Sequence, residues 1–190
     1  MDISTIIVFV IVIIVGFYGV SIYNGPVALK HSVSKAWSNI DVLLKQRHDE
    51  LPKLVEVCRQ CMGYEKDTLE RVISARSAVF DAREAGDVGK LGAAETLLRK
   101  GLGNLFALSE NYPELKANAN FRHLQQRITS LENSIADRRE FYDESVNLNN
   151  VRIEQIPDVV VARWFSFAHS ELLEFSPEET QDVNMKSLFN

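Results

Sequence analysis

Three groups of side chains in this sequence have types and spacings that could carry chemistry. Cys58 and Cys61 stand three apart, the spacing of a redox pair or of half a zinc site. A redox pair wants its first cysteine at a helix N-terminus, where the thiolate is stabilised, whereas this pair falls near the end of a helical run. Zinc needs two further ligands, and His31, His48, His123 and His169 do not pair at ligand spacing. The two cysteines therefore read as small buried hydrophobes. His48, Asp49 and Glu50 are consecutive, so on a helix they point to different sides and do not converge for acid and base work. The third group is the most informative. Arg47 and Arg138 stand at positions where an apolar side chain is expected. Each must extend to water or meet a carboxylate such as Asp41, Asp137 or Asp143, because an unpaired buried charge costs several kcal/mol. With Trp37, Lys45 and Arg139 they outline a candidate polar groove or interaction face of Trp37, Asp41, Lys45, Arg47, Arg138, Arg139 and Asp143. Asp41 and Lys45 have the i,i+4 spacing of a surface pair. No G-x-S-x-G, P-loop, dinucleotide glycine pattern or H-E-x-x-H occurs. No catalytic residue, cofactor-binding residue or metal ligand is expected.

The elements that position these residues begin with a membrane anchor. Residues 3–23 (ISTIIVFVIVIIVGFYGVSIY) carry no charge, and at 1.5 Å per residue they span roughly 31 Å, the thickness of the hydrocarbon layer. Asp2 is the only charged side chain before the run, so the basic leader of a cleaved signal is missing and an uncleaved transmembrane helix is the reading. Tyr18 and Tyr23 suit an interface. Lys30, His31 and Lys35 follow the span, which favours an amino terminus outside a bacterial inner membrane and a cytoplasmic body. The body has material for one compact domain within 190 residues, of which 46% are hydrophobic and 25% charged. The formal charge of −5 disfavours nucleic acid as a partner, because phosphate recognition needs a basic surface.

After Gly25-Pro26, read as a break, core positions recur at Val33, Trp37, Ile40, Leu44, Arg47, Leu51, Leu54, Cys58 and Cys61, a coiled-coil-like seam with alternating steps of three and four. Pro52 lies within it and removes one backbone donor above His48, so a kink is expected there. A second helix over 66–85 presents Leu69, Val72, Ile73, Arg76, Val79 and Phe80. Gly86-Asp87 turns the chain, with Asp87 a candidate N-cap. A third helix follows to about Leu108, where Gly92, Gly101 and Gly103 would each admit a close neighbour. The fourth carries Phe121, Leu124, Ile128, Leu131, Ile135, Arg138, Tyr142, Val146, Asn149, Ile153 and Ile156, and Pro157 ends it. A short apolar helix over 159–167 follows, in which Trp164-Phe165-Ser166-Phe167 would plug the bundle end, or rest on the bilayer if exposed. No period-two alternation occurs, so strands are not expected. The architecture expected is all-α: a transmembrane anchor (1–25), an antiparallel up-and-down bundle of four long helices (26–175) and an acidic, loosely held tail (176–190).

Two stretches carry a family resemblance. In YNGPVALKHSVSKAWSNIDVLLKQRHDELPKLVE these are Tyr23-Asn24, Ala36-Trp37, Ile40-Asp41-Val42, Leu44-Lys45, Arg47, Pro52 and Leu54-Val55. In YPELKANANFRHLQQRITSLENSIADRREFYDESVNLNN they are Tyr112-Pro113, Leu115-Lys116-Ala117-Asn118, Phe121, Leu124-Gln125, Leu131-Glu132, Ile135-Ala136, Arg139, Tyr142 and Val146-Asn147, with Ile153 and Pro157 beyond. The chain resembles the LemA family over nearly its whole length, departing where Asn147-Leu148-Asn149-Asn150 replaces a Tyr-Asn step and in a tight Gly25-Pro26 junction. The resemblance implies an antiparallel helical bundle behind a transmembrane segment. It implies no settled activity and supplies no catalytic residue.

Two functional readings follow. The first is a non-enzymatic scaffold or adaptor, tethered by its single helix, that positions another membrane or envelope protein. The second is a small-ligand receptor or enzyme with a polar inter-helix pocket around Arg47, Arg138 and Asp41, which requires those side chains to converge on a cavity. A further contact of the aromatic segment with lipid is a third possibility.

Overall fold

The computed structural model describes residues 2–62 and 65–174, and all of its regular structure is helical. Among the described residues there are six helices and no strand: α1 (Ile3–Cys61), α2 (Lys66–Ala85), α3 (Val88–Ser109), α4 (Pro113–Ala117), α5 (Ala119–Glu154) and α6 (Asp158–Trp164). The tail expected over 176–190 lies outside the described residues.

The largest departure from expectation is α1, which runs through Gly25-Pro26 without interruption. An interior proline forfeits one helical hydrogen bond and costs about 3 kcal/mol, so tertiary contacts must hold the helix there. They are present: Pro26 is buried, and Gly25 lies so close to the Arg152–Asp158 pair that a Cβ on it would stand 3.3 Å from Arg152 Nη2 and 3.6 Å from Asp158 Oδ1. The first part of α1 is long and apolar enough to cross a membrane, and every residue from Asp2 to Ser21 is exposed.

Local sequence sets the other helix ends. Gly86 adopts φ 66° at the α2 C-cap, a left-handed conformation that costs a side-chain-bearing residue about 1 kcal/mol or more. Asp87 then caps α3, its carboxylate accepting from Lys90 N at 2.9 Å. Asn118 caps α5 by accepting from the backbone of Asn120 and Phe121. Ser166, at φ 55°, follows α6, which is shorter than the helix expected over 159–167.

The chain falls into two compact units, with α1 and α5 contributing to both. One comprises the chain up to Ser38 together with Glu140–Glu171. Its interior holds Val33, Ala36, Tyr142, Val146, Ile153 and Ala162. The Trp37 and Tyr142 rings pack with centroids 5.6 Å apart, and Tyr142 Oη donates to the Glu171 carbonyl at 2.9 Å. Asn150 clamps the segment after α6 with two hydrogen bonds of 2.9 Å, donating to the Ser170 carbonyl and accepting from its backbone N–H.

The other unit comprises Asn39–Arg139 and the segment from Leu172. Its core is made of the expected stripes: Ile40, Leu44, Leu51, Leu54 and Cys58 from α1, Leu69, Val72 and Val79 from α2, Leu91, Leu98, Leu102 and Leu105 from α3, and Phe121, Ile128 and Ile135 from α5. Of Gly92, Gly101 and Gly103 on α3, two admit a neighbour. At Gly101 a Cβ would stand 3.4 Å from Val72, and at Gly92 it would collide with the Glu174 carbonyl oxygen, while Gly103 faces open space.

Two α5 assignments are corrected. Arg138 is exposed, and the seam from Ile135 to Tyr142 instead passes through half-buried Arg139, the alternative step of four then three. Ile156 is 88% exposed, because α5 ends at Glu154 and the chain turns before it could reach the core.

Candidate functional site

Arg47 occupies a core position of α1 between Leu44 and Leu51 and is 1% exposed. A guanidinium can be tolerated there only if carboxylates meet it. Helix α3 supplies Glu95, itself 3% exposed and next to Leu91 and Leu98 in the α3 stripe, and α5 supplies Glu132 beside Leu131. Arg47 Nη2 donates to Glu95 Oε1, and Nη1 donates to Glu132 Oε1 at 2.5 Å. Arg99, one turn beyond Glu95 on α3, brings its Nε to 3.5 Å from Glu132 Oε2. Two arginines and two glutamates thus form a group of zero formal charge, buried at Arg47 and Glu95 and opening to the surface at Arg99, that ties α1, α3 and α5 together.

The electrostatics follow from this geometry. Burial opposes the charge on Arg47, but the attraction and hydrogen bonds of Glu95 and Glu132 outweigh it, so the guanidinium is held more firmly protonated than usual. Burial pushes the Glu95 carboxyl up, and Arg47 offsets only part of that rise. Within the quartet Arg47 Nε lacks a hydrogen-bond partner.

A second polar arrangement joins α1 to α2. Pro52 has no N–H, which leaves the His48 carbonyl without its helical donor. Arg76 replaces it: Nε donates to the His48 carbonyl at 3.0 Å and Nη2 donates to the ring Nε2 at 2.6 Å. An arginine only donates, so His48 Nε2 must accept and the ring must be neutral. Burial, followed by the positive charge of Arg76, lowers the His48 pKa; Asp49 opposes this shift, while Arg83 and Arg47 add to it. Two turns earlier on α1, Asp41 receives Arg83 in a two-pronged pair, Nε to Oδ1 at 2.5 Å and Nη2 to Oδ2 at 3.0 Å. Between the two lies a groove of about 190 Å³ lined by Leu44, Lys45, His48, Asp49, Val79, Phe80 and Arg83.

The sequence-predicted face is therefore divided. Trp37 and Asp143 belong to one compact unit, and Asp41, Lys45, Arg47, Arg138 and Arg139 to the other. Arg47 meets Glu95 and Glu132 rather than Asp41, Asp137 or Asp143, because α3 and α5 present those carboxylates at its own level. Asp41 takes Arg83 rather than Lys45, since the guanidinium fork satisfies both carboxylate oxygens at once. Lys45 lines the groove, and Arg138 is exposed.

Glu95, Glu132, Arg76 and Arg83 were missed as partners. Glu95 carried a signal, a carboxylate in the register of the α3 leucines that matches a seam arginine on α1. Arg76 carried another, a donor-rich side chain on an apolar face. Cys58 is buried as expected, whereas Cys61 is only half-buried; both cysteines are free, and burial, with a smaller contribution from Cys61, raises the Cys58 thiol to about 12. Among the described residues no group of three or more His, Cys, Asp or Glu is placed to hold a metal.

Comparison with known proteins adds relatives to this geometry. The chain is 22% identical over 192 residues to the magnetosome protein MamQ 2 of Paramagnetospirillum magneticum strain AMB-1. The match covers 88% of this chain and 70% of the relative, and MamQ 1 of the same organism matches equally. The magnetosome protein MamQ of Magnetospirillum gryphiswaldense strain MSR-1 is 23% identical over 190 residues, with the same coverage. The family model of LemA spans residues 36–186, taking in the Arg47 quartet, the His48–Arg76 clasp and the Trp37–Tyr142 pair, and the chain belongs to the LemA family.

Proposed function

We propose that this protein is a single-pass, membrane-anchored scaffold without catalytic activity, an antiparallel up-and-down bundle of four long helices that positions a partner protein at the membrane. The observation that carries this reading is α1, in which the exposed apolar run and the core-forming seam are one unbroken helix from Ile3 to Cys61. A tether of that kind fixes the body close to the bilayer and raises its effective concentration for other membrane proteins. The charged side chains support it too: Arg47, Glu95 and Glu132 neutralise one another inside the fold. Similarity to magnetosome proteins accords with work in an assembled structure. The cations after the span, Lys30 and Lys35, favour a body on the cytoplasmic side of the inner membrane and an amino terminus outside.

In-cell photo-crosslinking of the full chain, with reporters at exposed Lys30 and Asn133, tests this proposal. One recurrent membrane or envelope protein captured from these positions is the expected result. Adduct-free chain at every exposed position tried, alongside a small molecule that co-purifies in stoichiometric amount, would overturn it.

The groove beside His48 favours a second reading, a receptor for a small anion held by Lys45 over the Phe80 ring, Arg83 being paired with Asp41. Calorimetric titration with inorganic phosphate and with acetate separates the two. Saturable heat that disappears in Lys45→Ala supports a receptor, and its absence leaves the scaffold.

A further inference from the structure

Four large apolar side chains on and immediately beside α6 are exposed: Ile156 is 88% exposed, Val160 62%, Trp164 84% and Phe165 59%. The expectation that the aromatic segment plugs the bundle end does not hold for Trp164. Val160 and Trp164 step by four, so they share one face of α6, with Ile156 just before the helix and Phe165 just after it. Exposure of this kind marks a surface that something apolar covers.

Two contacts show where this stripe lies relative to the apolar run of α1. The Phe165 ring meets Tyr23 edge-on at 4.8 Å between centroids, and Phe167 meets the same ring at 6.1 Å. Tyr23 is the last residue of the 3–23 run read as the membrane span. Two residues on, Gly25 abuts Arg152 and Asp158, whose 2.8 Å ion pair packs the start of α6 against α1. The exposed stripe is thereby held at the level where α1 would leave the hydrocarbon.

We propose that Ile156, Val160, Trp164 and Phe165 form a second contact with the membrane, lying among the lipid headgroups and upper acyl chains beside the end of the transmembrane helix. This rests on the reading of α1 as an anchor. The chemistry fits: indole and phenyl rings favour the interfacial layer, and Tyr23 already belongs to it. Exposed Arg163, next to Trp164, supplies a cation for lipid phosphate, whereas Arg152 is neutralised by Asp158. The chain would then touch the bilayer at two points of different kind, a spanning helix and an interfacial stripe, which restrains rotation about the helix axis.

The full chain, reconstituted into phosphatidylcholine vesicles with or without bromine on the acyl chains, tests the proposal by Trp fluorescence. The protein has two tryptophans, Trp37 and Trp164, and Trp37 lies about 21 Å further along α1 than Tyr23. The difference between wild type and Trp164→Phe therefore isolates Trp164. Bromine near the headgroup should quench that difference roughly twofold more than bromine deep in the chain, as for a residue at the interface. Aqueous iodide should leave it unquenched, and Trp164→Phe alone should show no bromine effect. Vesicle flotation is read first: failure to float overturns the anchor, and this proposal with it. Flotation with a Trp164 signal that bromine does not touch and iodide quenches overturns the interfacial contact alone. Shielding from both quenchers overturns it in favour of a second copy of the chain on this surface.

Discussion

Arg47 is the residue on which most of the interior polarity depends. It has two carboxylate partners, and removing it leaves Glu95 buried without its cation, a change that typically costs 3–5 kcal/mol. Arg47→Met should accordingly lower the melting temperature sharply. Arg47→Met combined with Glu95→Leu should recover much of the loss, since an apolar pair of similar volume is often as stable as a buried ion pair. Thermal melts followed by circular dichroism on the detergent-solubilised full chain measure both, and equal destabilisation in the single and double variants would contradict the argument. His48 makes a different prediction. Its ring must be neutral to accept from Arg76, and burial together with Arg76 lowers its pKa below the usual 6.5. The unfolded chain therefore takes up the proton more readily than the folded one. The stability from this clasp is complete above about pH 6.5 and is lost as pH falls from there towards the lowered folded value. A series of melts from pH 7.5 to 5 should show this slope in wild type and a shallower one in His48→Gln, whose side-chain oxygen accepts from Arg76 at every pH.

At the level of elements, close approaches substitute for bonds that the sequence withholds. Two prolines lie inside α1, and each removes a donor, yet the helix continues because Arg76 serves the carbonyl freed by Pro52 and packing around Gly25 holds the turn at Pro26. On α3, Gly92 receives the backbone of the segment that carries buried Leu173. Gly92→Ala should push that segment away and expose Leu173, at a cost of about 1–3 kcal/mol for overpacking a filled site. Faster cleavage of the carboxyl-terminal segment by a non-specific protease, with helix content retained, is the expected signature. Gly103→Ala, which meets nothing, is the control and should be neutral or slightly stabilising. The helices themselves were legible because periodicity is a property of a short window: the α2 bounds expected from the sequence coincide with those observed, as does the Asp87 cap. Arg138 and Ile156 were misplaced for the same reason. A step of three and a step of four are equally helical, so only the neighbour decides that Arg139 faces inward and that Ile156 finds no core to enter.

For the whole molecule, the apolar run decides where it resides. A lysine near the bilayer centre costs roughly 2.5–3.5 kcal/mol, so Ile11→Lys with Ile14→Lys should move the chain from the membrane fraction to the high-salt wash. Retention of this double variant in the membrane would mean that the anchor reading is wrong. Formal charge, composition, the membrane-length run, the all-α class and the family signatures all sit in the sequence, because each is additive or local. Which charges would meet did not. Arg47 was visible as an anomaly, but Glu95 lies 48 residues from it and Glu132 lies 85 residues away, and nothing local links them. An ion pair forms between whatever groups the packed helices bring to one level. That level depends on the relative rotation and displacement of α1, α3 and α5, quantities that no stretch of sequence carries by itself and that the tertiary structure alone decides.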